Sequence, residues 1–242
     1  MRAEEIDARI DVVALDVFGT TVDWWTGITR RITEIAAAGG VDVDAAALAA
    51  AWRDRYLPSM ARVRDGERLW TPLDTLHRES LDDLLEAFGV ADRFDERDRR
   101  ELVRGWYRLP AWEDVADGLE RLRERFLVVA LSNGGFALLT RLAKDAGLRF
   151  DAIVSSELAR TYKPDPAAYR TAADLLGVEP ARMLMVACHG WDITGATNAG
   201  LRTAFLERPG EKGPHRVADA AADTPSDLAV RSVHELATAL GC

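Results

Sequence analysis

Residues 10–18 read IDVVALDVF, an apolar and largely β-branched run that ends in the turn Gly19-Thr20-Thr21. A strand apolar on both faces fits the interior of a parallel sheet with helices on either side. In open α/β sheets ligands bind beyond the carboxyl ends of the strands. Asp16 lies near that end, so the strand assignment itself supplies the first candidate functional residue. From about Trp24 to Arg108 the pattern is helical, with almost no strand signal. Helices are expected at 25–38, 44–63, 71–88 and 95–107, punctuated by Gly39-Gly40, Gly66 and Gly89. After Pro110 helices and strands alternate. Helix 113–125 leads to strand 126–131, the turn 132–135, helix 136–146 and strand 152–154. Helix 165–176, strand 183–187, helix 192–199, strand 202–206 and a terminal helix 232–240 follow. This alternation implies a parallel sheet with right-handed crossovers. The expected fold is α/β: a Rossmann-like core, residues 1–22 and 109–242, with a helical cap, residues 23–108, inserted after strand 1. Residues 215–227 read as a polar loop without a motif.

Composition narrows the partners. The 242 residues are 48% hydrophobic and 29% charged, a globular balance in a chain long enough to bury a core unaided. The formal net charge of -9 argues against nucleic acid and anionic membranes, which need clustered Lys and Arg. Cys188 and Cys242 cannot form a disulfide framework. Met1 is followed by RAEEIDAR, too polar for a signal peptide. No apolar run approaches the ~20 residues that span a bilayer. The expectation is a reduced, cytoplasmic protein acting on a small molecule.

Four segments bring candidate chemistry to one sheet edge: LDVFGTTVD (15–23), LSNGG (131–135), YKPDPAAY (162–169) and HGWDITGATNAG (189–200). A strand-end Asp, a strand-end Ser-Asn, a lone Lys-Pro and a late Asp, in that order, resemble the haloacid dehalogenase superfamily. Each segment alone is weak; the ordered set spans nearly the whole chain. The resemblance implies that Asp16 is a nucleophile, since a carboxylate attacks only when oriented and partly desolvated. It implies that Lys163 pairs with Asp16 and keeps it ionised. Asp192 would orient the hydrolytic water and pair with Lys163, or cap its helix. Ser132 and Asn133 would hold a substrate carboxylate and the Asp16 side chain, or merely shape a turn. Thr20 belongs to the same substrate-facing group.

Within that superfamily the chain resembles the L-2-haloacid dehalogenases. The phosphatase branch has an acid two residues after the nucleophile; here Phe18 stands there and can neither donate a proton nor bind a metal. A halide leaves without a proton. Asp192 is the only carboxylate in CHGWD, a poor set for a hard cation, so no metal and no cofactor is expected. Arg53, after Trp52 in the helical insertion, matches the Arg that receives the departing halide, unless it is a plain surface residue. Tyr169 and Trp191 match a supporting Tyr and an apolar wall. The chain departs from the best-known dehalogenases at Ala187 (Ser there), His189 (Asn there) and Phe18 (often Tyr). His189 is either a base near neutral pH or a neutral hydrogen-bonding substitute for Asn. The expected reaction is hydrolysis of a short 2-haloalkanoic acid to the 2-hydroxy acid through an ester on Asp16. The alternatives are a phosphatase, another hydrolase of the superfamily, or a non-catalytic relative. A homodimer is what the resemblance implies.

Overall fold

The computed structural model describes residues 10–242; the polar N-terminal stretch read against a signal peptide lies outside the described residues. Among the described residues six parallel strands form one sheet: β1 (Val12–Leu15), β2 (Leu127–Ser132), β3 (Ala152–Ser155), β4 (Met183–Ala187), β5 (Arg202–Leu206) and β6 (Leu228–Val230). Their order is β3-β2-β1-β4-β5-β6, which places β1 at the centre and reverses the winding direction beside it. Val13 pairs with Val128 on one side and Leu184 on the other. Alternate residues of β1 enter two cores, Val13 and Leu15 in one, Val12 and Ala14 in the other. Both faces are covered, which is why the run could be apolar throughout.

Between β1 and β2 lie α1 (Trp24–Gly39), α2 (Ala45–Asp54), α3 (Tyr56–Arg64), α4 (Leu73–Ala87) and α5 (Glu96–Gly105). Asp23 and Asp44 cap α1 and α2 by accepting from Thr26 and Ala47 N–H. Then come α6 (Val115–Arg123), α7 (Phe136–Asp145), α8 (Pro166–Leu176), α9 (Gly190–Ala199) and α10 (Val233–Ala239). Among the described residues no helix is long and apolar enough to cross a membrane.

Two expectations are corrected. The helix read over 44–63 is two helices broken at Arg55. Pro58 lacks an N–H, and its ring would meet the carbonyl of Asp54 four residues back, so the first helix ends there. The second correction is β6, which closes the sheet beyond β5. Three residues after a polar loop are too few to show a period.

The loop after β5 crosses the end of the sheet to the helical segment. Arg208 is buried, donates to the Thr20 carbonyl at 3.0 Å and pairs with Asp114 at 2.9 Å. Gly213 has φ 80° and lies against Trp25, where a Cβ would come within 2.3 Å of the indole. Gly19, at φ 89°, leaves the room that Glu211 fills; a Cβ there would lie 2.6 Å from Glu211 Oε1.

Candidate active site

Asp16 follows β1 directly, Lys163 arrives from the connection after β3, and Asp192 lies in the first turn of α9 after β4. All three are buried. Lys163 Nζ donates to Asp16 Oδ1 at 2.9 Å, Leu131 O at 2.9 Å and Asp192 Oδ2 at 2.5 Å, which uses its three donors. Thr20 Oγ1 donates to Asp16 Oδ2 at 2.9 Å and accepts from Cys188 N at 3.1 Å. Tyr169 OH donates to Asp192 Oδ1 at 2.7 Å. The N-cap of α9 is His189, so Asp192 does not cap the helix; its two oxygens are committed to Lys163 and Tyr169.

Burial would raise the Asp16 pKa, but Lys163 and His189 outweigh it and hold the carboxyl well below the usual carboxylate range. Burial raises Asp192, the charge of Asp16 adds to this, and Lys163 opposes it. Burial acts against the Lys163 ammonium, yet the two carboxylates raise its pKa. The site therefore rests with an ionised Asp16 beside a cation.

Asn133 reaches this centre indirectly. Its Oδ1 accepts from Lys163 N at 2.8 Å and from Ser156 Oγ at 2.7 Å, and its Nδ2 donates to Lys163 O at 3.2 Å. It fixes the lysine backbone. Ser132 Oγ accepts from Gly134 N at 3.3 Å, so its hydroxyl serves its own turn rather than Asp16.

Arg53 extends from the end of α2 to the same place, whereas Arg55 is exposed. Its guanidinium lies 4.3 Å from the Tyr56 ring centroid, with Nη2 3.3 Å from His189 Nε2. Its Nη1 is buried without a hydrogen-bond partner among the described residues. Such an orphan donor calls for an anion or water. A cavity of about 380 Å³ opens here, lined in part by Arg53, Tyr56, Leu57, His189, Trp191 and Glu211. Trp191 stacks on His189 with ring centroids 5.4 Å apart. Phe18, expected in the substrate-facing group, lies behind the cavity wall instead, buried edge-on against Trp106 and Tyr56.

Sequence reasoning missed Glu211. Its carboxylate is buried, accepts from Trp24 Nε1 at 2.6 Å, and lies 3.1 Å from His189 Nε2 and 3.9 Å from Arg53. Burial opposes its charge, but His189, Arg53 and Trp24 lower its pKa to about 2. The available signal was topological: the loop after β5 opens on the same sheet edge as the other site loops. Asp219, in the segment read as a motif-free loop, accepts from Gly190 N at 2.8 Å. His189 Nδ1 lies 3.4 Å from Asp16 Oδ2. Burial would lower the His189 pKa, but Cys188, Glu211 and Asp16 reverse that and hold it well above the ordinary imidazole value. Cys188, His189 and Glu211 place donor atoms within 4.8 Å of one another. The Arg53 guanidinium faces two of them, His189 and Glu211.

Comparison with known proteins agrees with the geometry. A family model of haloacid dehalogenase-like hydrolases matches residues 10–200. (S)-2-haloacid dehalogenase 4A of Burkholderia cepacia is 31% identical over 198 residues, 81% of this chain and 82% of the relative. The crystal structure of a defluorinating L-2-haloacid dehalogenase superposes with a TM-score of 0.93 at 40% identity, covering 96% of each chain. The L-2-haloacid dehalogenase of Xanthobacter autotrophicus, solved with chloropropionic acid covalently bound, gives 0.80 at 26% identity, covering 95% of this chain and 97% of that one. The chain belongs to the haloacid dehalogenase-like hydrolases.

Proposed function

We propose that this protein hydrolyses the carbon–halogen bond of a short 2-haloalkanoic acid, releasing halide and the 2-hydroxy acid. The observation that carries the reading is the charge set that meets the cavity through His189, whose Nδ1 lies 3.4 Å from Asp16 Oδ2. An ionised Asp16 is held by Lys163, while Arg53 offers an unpartnered buried donor a short distance away. The names of the relatives point the same way. In this reading Asp16 attacks the halogen-bearing carbon, the carbon–halogen bond breaks, and the electron pair leaves with the halide toward Arg53. The resulting ester is then hydrolysed at the Asp16 carbonyl, so that one hard displacement becomes two easier steps. Lys163 supplies the charge that a metal supplies in other hydrolases, and turnover should survive chelation. Residues 23–108 act as a cap over the core formed by 1–22 and 109–242. A cytoplasmic homodimer accompanies this reading and is checked by light scattering and fractionation.

Halide release from chloroacetate and from each enantiomer of 2-chloropropionate tests the activity. Asp16→Asn should abolish it without changing the circular dichroism. In a single turnover in ¹⁸O-water with enzyme in excess, label should enter the peptide containing Asp16 and be largely absent from the product hydroxyl. Label placed directly in the product would mean that water attacks the substrate carbon. Magnesium-dependent phosphate release without halide release would replace the reading by a phosphatase.

A further inference from the structure

The steps above leave the imidazole of His189 and the carboxylate of Glu211 without a part. Each ring nitrogen faces a carboxylate: Nδ1 lies 3.4 Å from Asp16 Oδ2 and Nε2 lies 3.1 Å from Glu211 Oε1. An imidazolium, with both nitrogens as donors, satisfies both carboxylates but turns Nε2 toward the Arg53 donor, so its charge depends on both carboxylates staying ionised. The other groups on the ring are Cys188 Sγ, 3.7 Å from each nitrogen, Arg53 Nη2 at 3.3 Å and the stacked Trp191. Asp219 and Tyr56 feel the ring's charge from farther out, and Lys163 lies on the opposite oxygen of Asp16.

Ester formation would turn Asp16 from an anion into a neutral group and remove one of the two charges that stabilise the imidazolium. Glu211 is then the ring's one remaining carboxylate, and its Oε1 is shared with Trp24 and Arg53. Resting on the haloacid reading, we propose that His189 is the proton store of the cycle, charged while Asp16 is ionised and neutral once Asp16 is esterified. In that neutral state it becomes the base for hydrolysis, with Glu211 as the positioning residue that holds the ring by its far edge.

The steps balance. Ester formation joins an Asp16 oxygen to the substrate carbon and breaks the carbon–halogen bond, the halide taking the electron pair. After halide leaves, His189 gives its proton to solvent. Water then adds to the Asp16 carbonyl carbon and passes a proton to Nδ1. The tetrahedral centre collapses, and the bond from that carbon to the substrate oxygen breaks. This oxygen takes the proton from Nδ1 and departs as the product hydroxyl. Asp16, left as the acid, returns its proton to His189. Each turnover consumes one water and releases one halide and one proton.

Asp16→Asn mimics the uncharged state of Asp16. His189 is followed by NMR titration of its ring signals, assigned by their loss in His189→Ala. It should stay protonated through neutral pH in the wild type and become neutral there in Asp16→Asn. Glu211→Gln should lower its midpoint in the resting enzyme without altering signal dispersion elsewhere. Rapid quench of His189→Ala with chloroacetate should show halide release and an ester adduct by mass, with ester hydrolysis slowed roughly 10²–10⁴-fold, the range of general-base catalysis. A ring equally charged, or equally neutral, in wild type and Asp16→Asn would overturn the proposal, as would hydrolysis in His189→Ala at the wild-type rate. Absence of any halide burst or adduct in the wild type would instead overturn the haloacid reading; the titration result stands apart from it.

Discussion

Lys163 is a fully buried ammonium whose partners are two carboxylates and a carbonyl. Its removal leaves Asp16 and Asp192 buried and unpaired. Lys163→Met should therefore cost about 3–5 kcal/mol of stability at neutral pH, the cost of breaking a buried ion pair from one side. The sign with pH follows from the shifts. The folded pKa of Asp16 lies below its unfolded ~3.9, so its contribution is present above that value and is lost as pH falls through the folded pKa. The folded pKa of Lys163 lies above its unfolded ~10.4, so its contribution is complete below that value and is lost as pH rises through the folded pKa. The penalty should be largest between these limits and shrink in acid, where the carboxylates protonate; denaturant melts across pH check this. Arg53→Ala should lower kcat roughly 10²-fold or more, as losing a preorganised donor at a developing anion does, and Arg55→Ala far less. Equal small effects would return Arg53 to the packing of the helix. At this scale the meeting of Asp16, Lys163 and Asp192 was legible, because each follows a strand whose apolar run marks its end. Asn133 and Ser132 were placed at the right edge but with other partners, since a turn residue can bond forward, backward or into the site with the same spacing.

Helix α2 delivers Arg53 two residues before the break forced by Pro58, and the loop after β5 delivers Glu211 to the same point. The first connection was read as a continuous helix, because apolar periodicity runs through a proline whose steric effect falls four residues upstream. The second was passed over, because RPGEKG offers turn residues and no periodicity. Its conformation depends on two close approaches that only the folded chain shows. Gly213→Ala adds a Cβ against Trp25 at a positive φ. It should displace the loop, lowering kcat/KM several-fold and Tm by a few degrees. Gly210→Ala, whose Cβ would meet only Trp112 at 4.0 Å, should behave as wild type. Equal behaviour of the two would show that the loop's path does not matter to the site.

Over the whole molecule, a chain of net charge -9 has to admit an anion. The cavity answers this with Arg53, Lys212 and Arg216 in its walls, balanced by Asp54, Asp219 and Glu211. Arg216 pairs with Asp54 at 2.7 Å, linking α2 to the loop after β5 across the opening. Both partners are partly exposed, so the pair adds little to stability. Arg216→Gln should leave Tm nearly unchanged and lower kcat/KM for chloroacetate mainly at low salt, where local cations still steer an anion. A loss independent of salt would point to shape rather than charge. The parallel sheet was legible at this scale from the alternation of elements. The sixth strand was not, because a three-residue edge strand is fixed by its neighbour β5 rather than by its own pattern.

Gly19 and Glu211 occupy one volume, and that gives a rule for comparing relatives. A side chain at the first position evicts the carboxylate at the second, so the two positions should vary together although they lie at opposite ends of the chain. A homologue with a larger residue in place of Gly19 should lack an acid in place of Glu211, and its residue in place of His189 should no longer be held as a cation. Gly in the turn after the nucleophile, together with an acid in the loop after the fifth strand, then marks the sequences that share this chain's way of handling the proton.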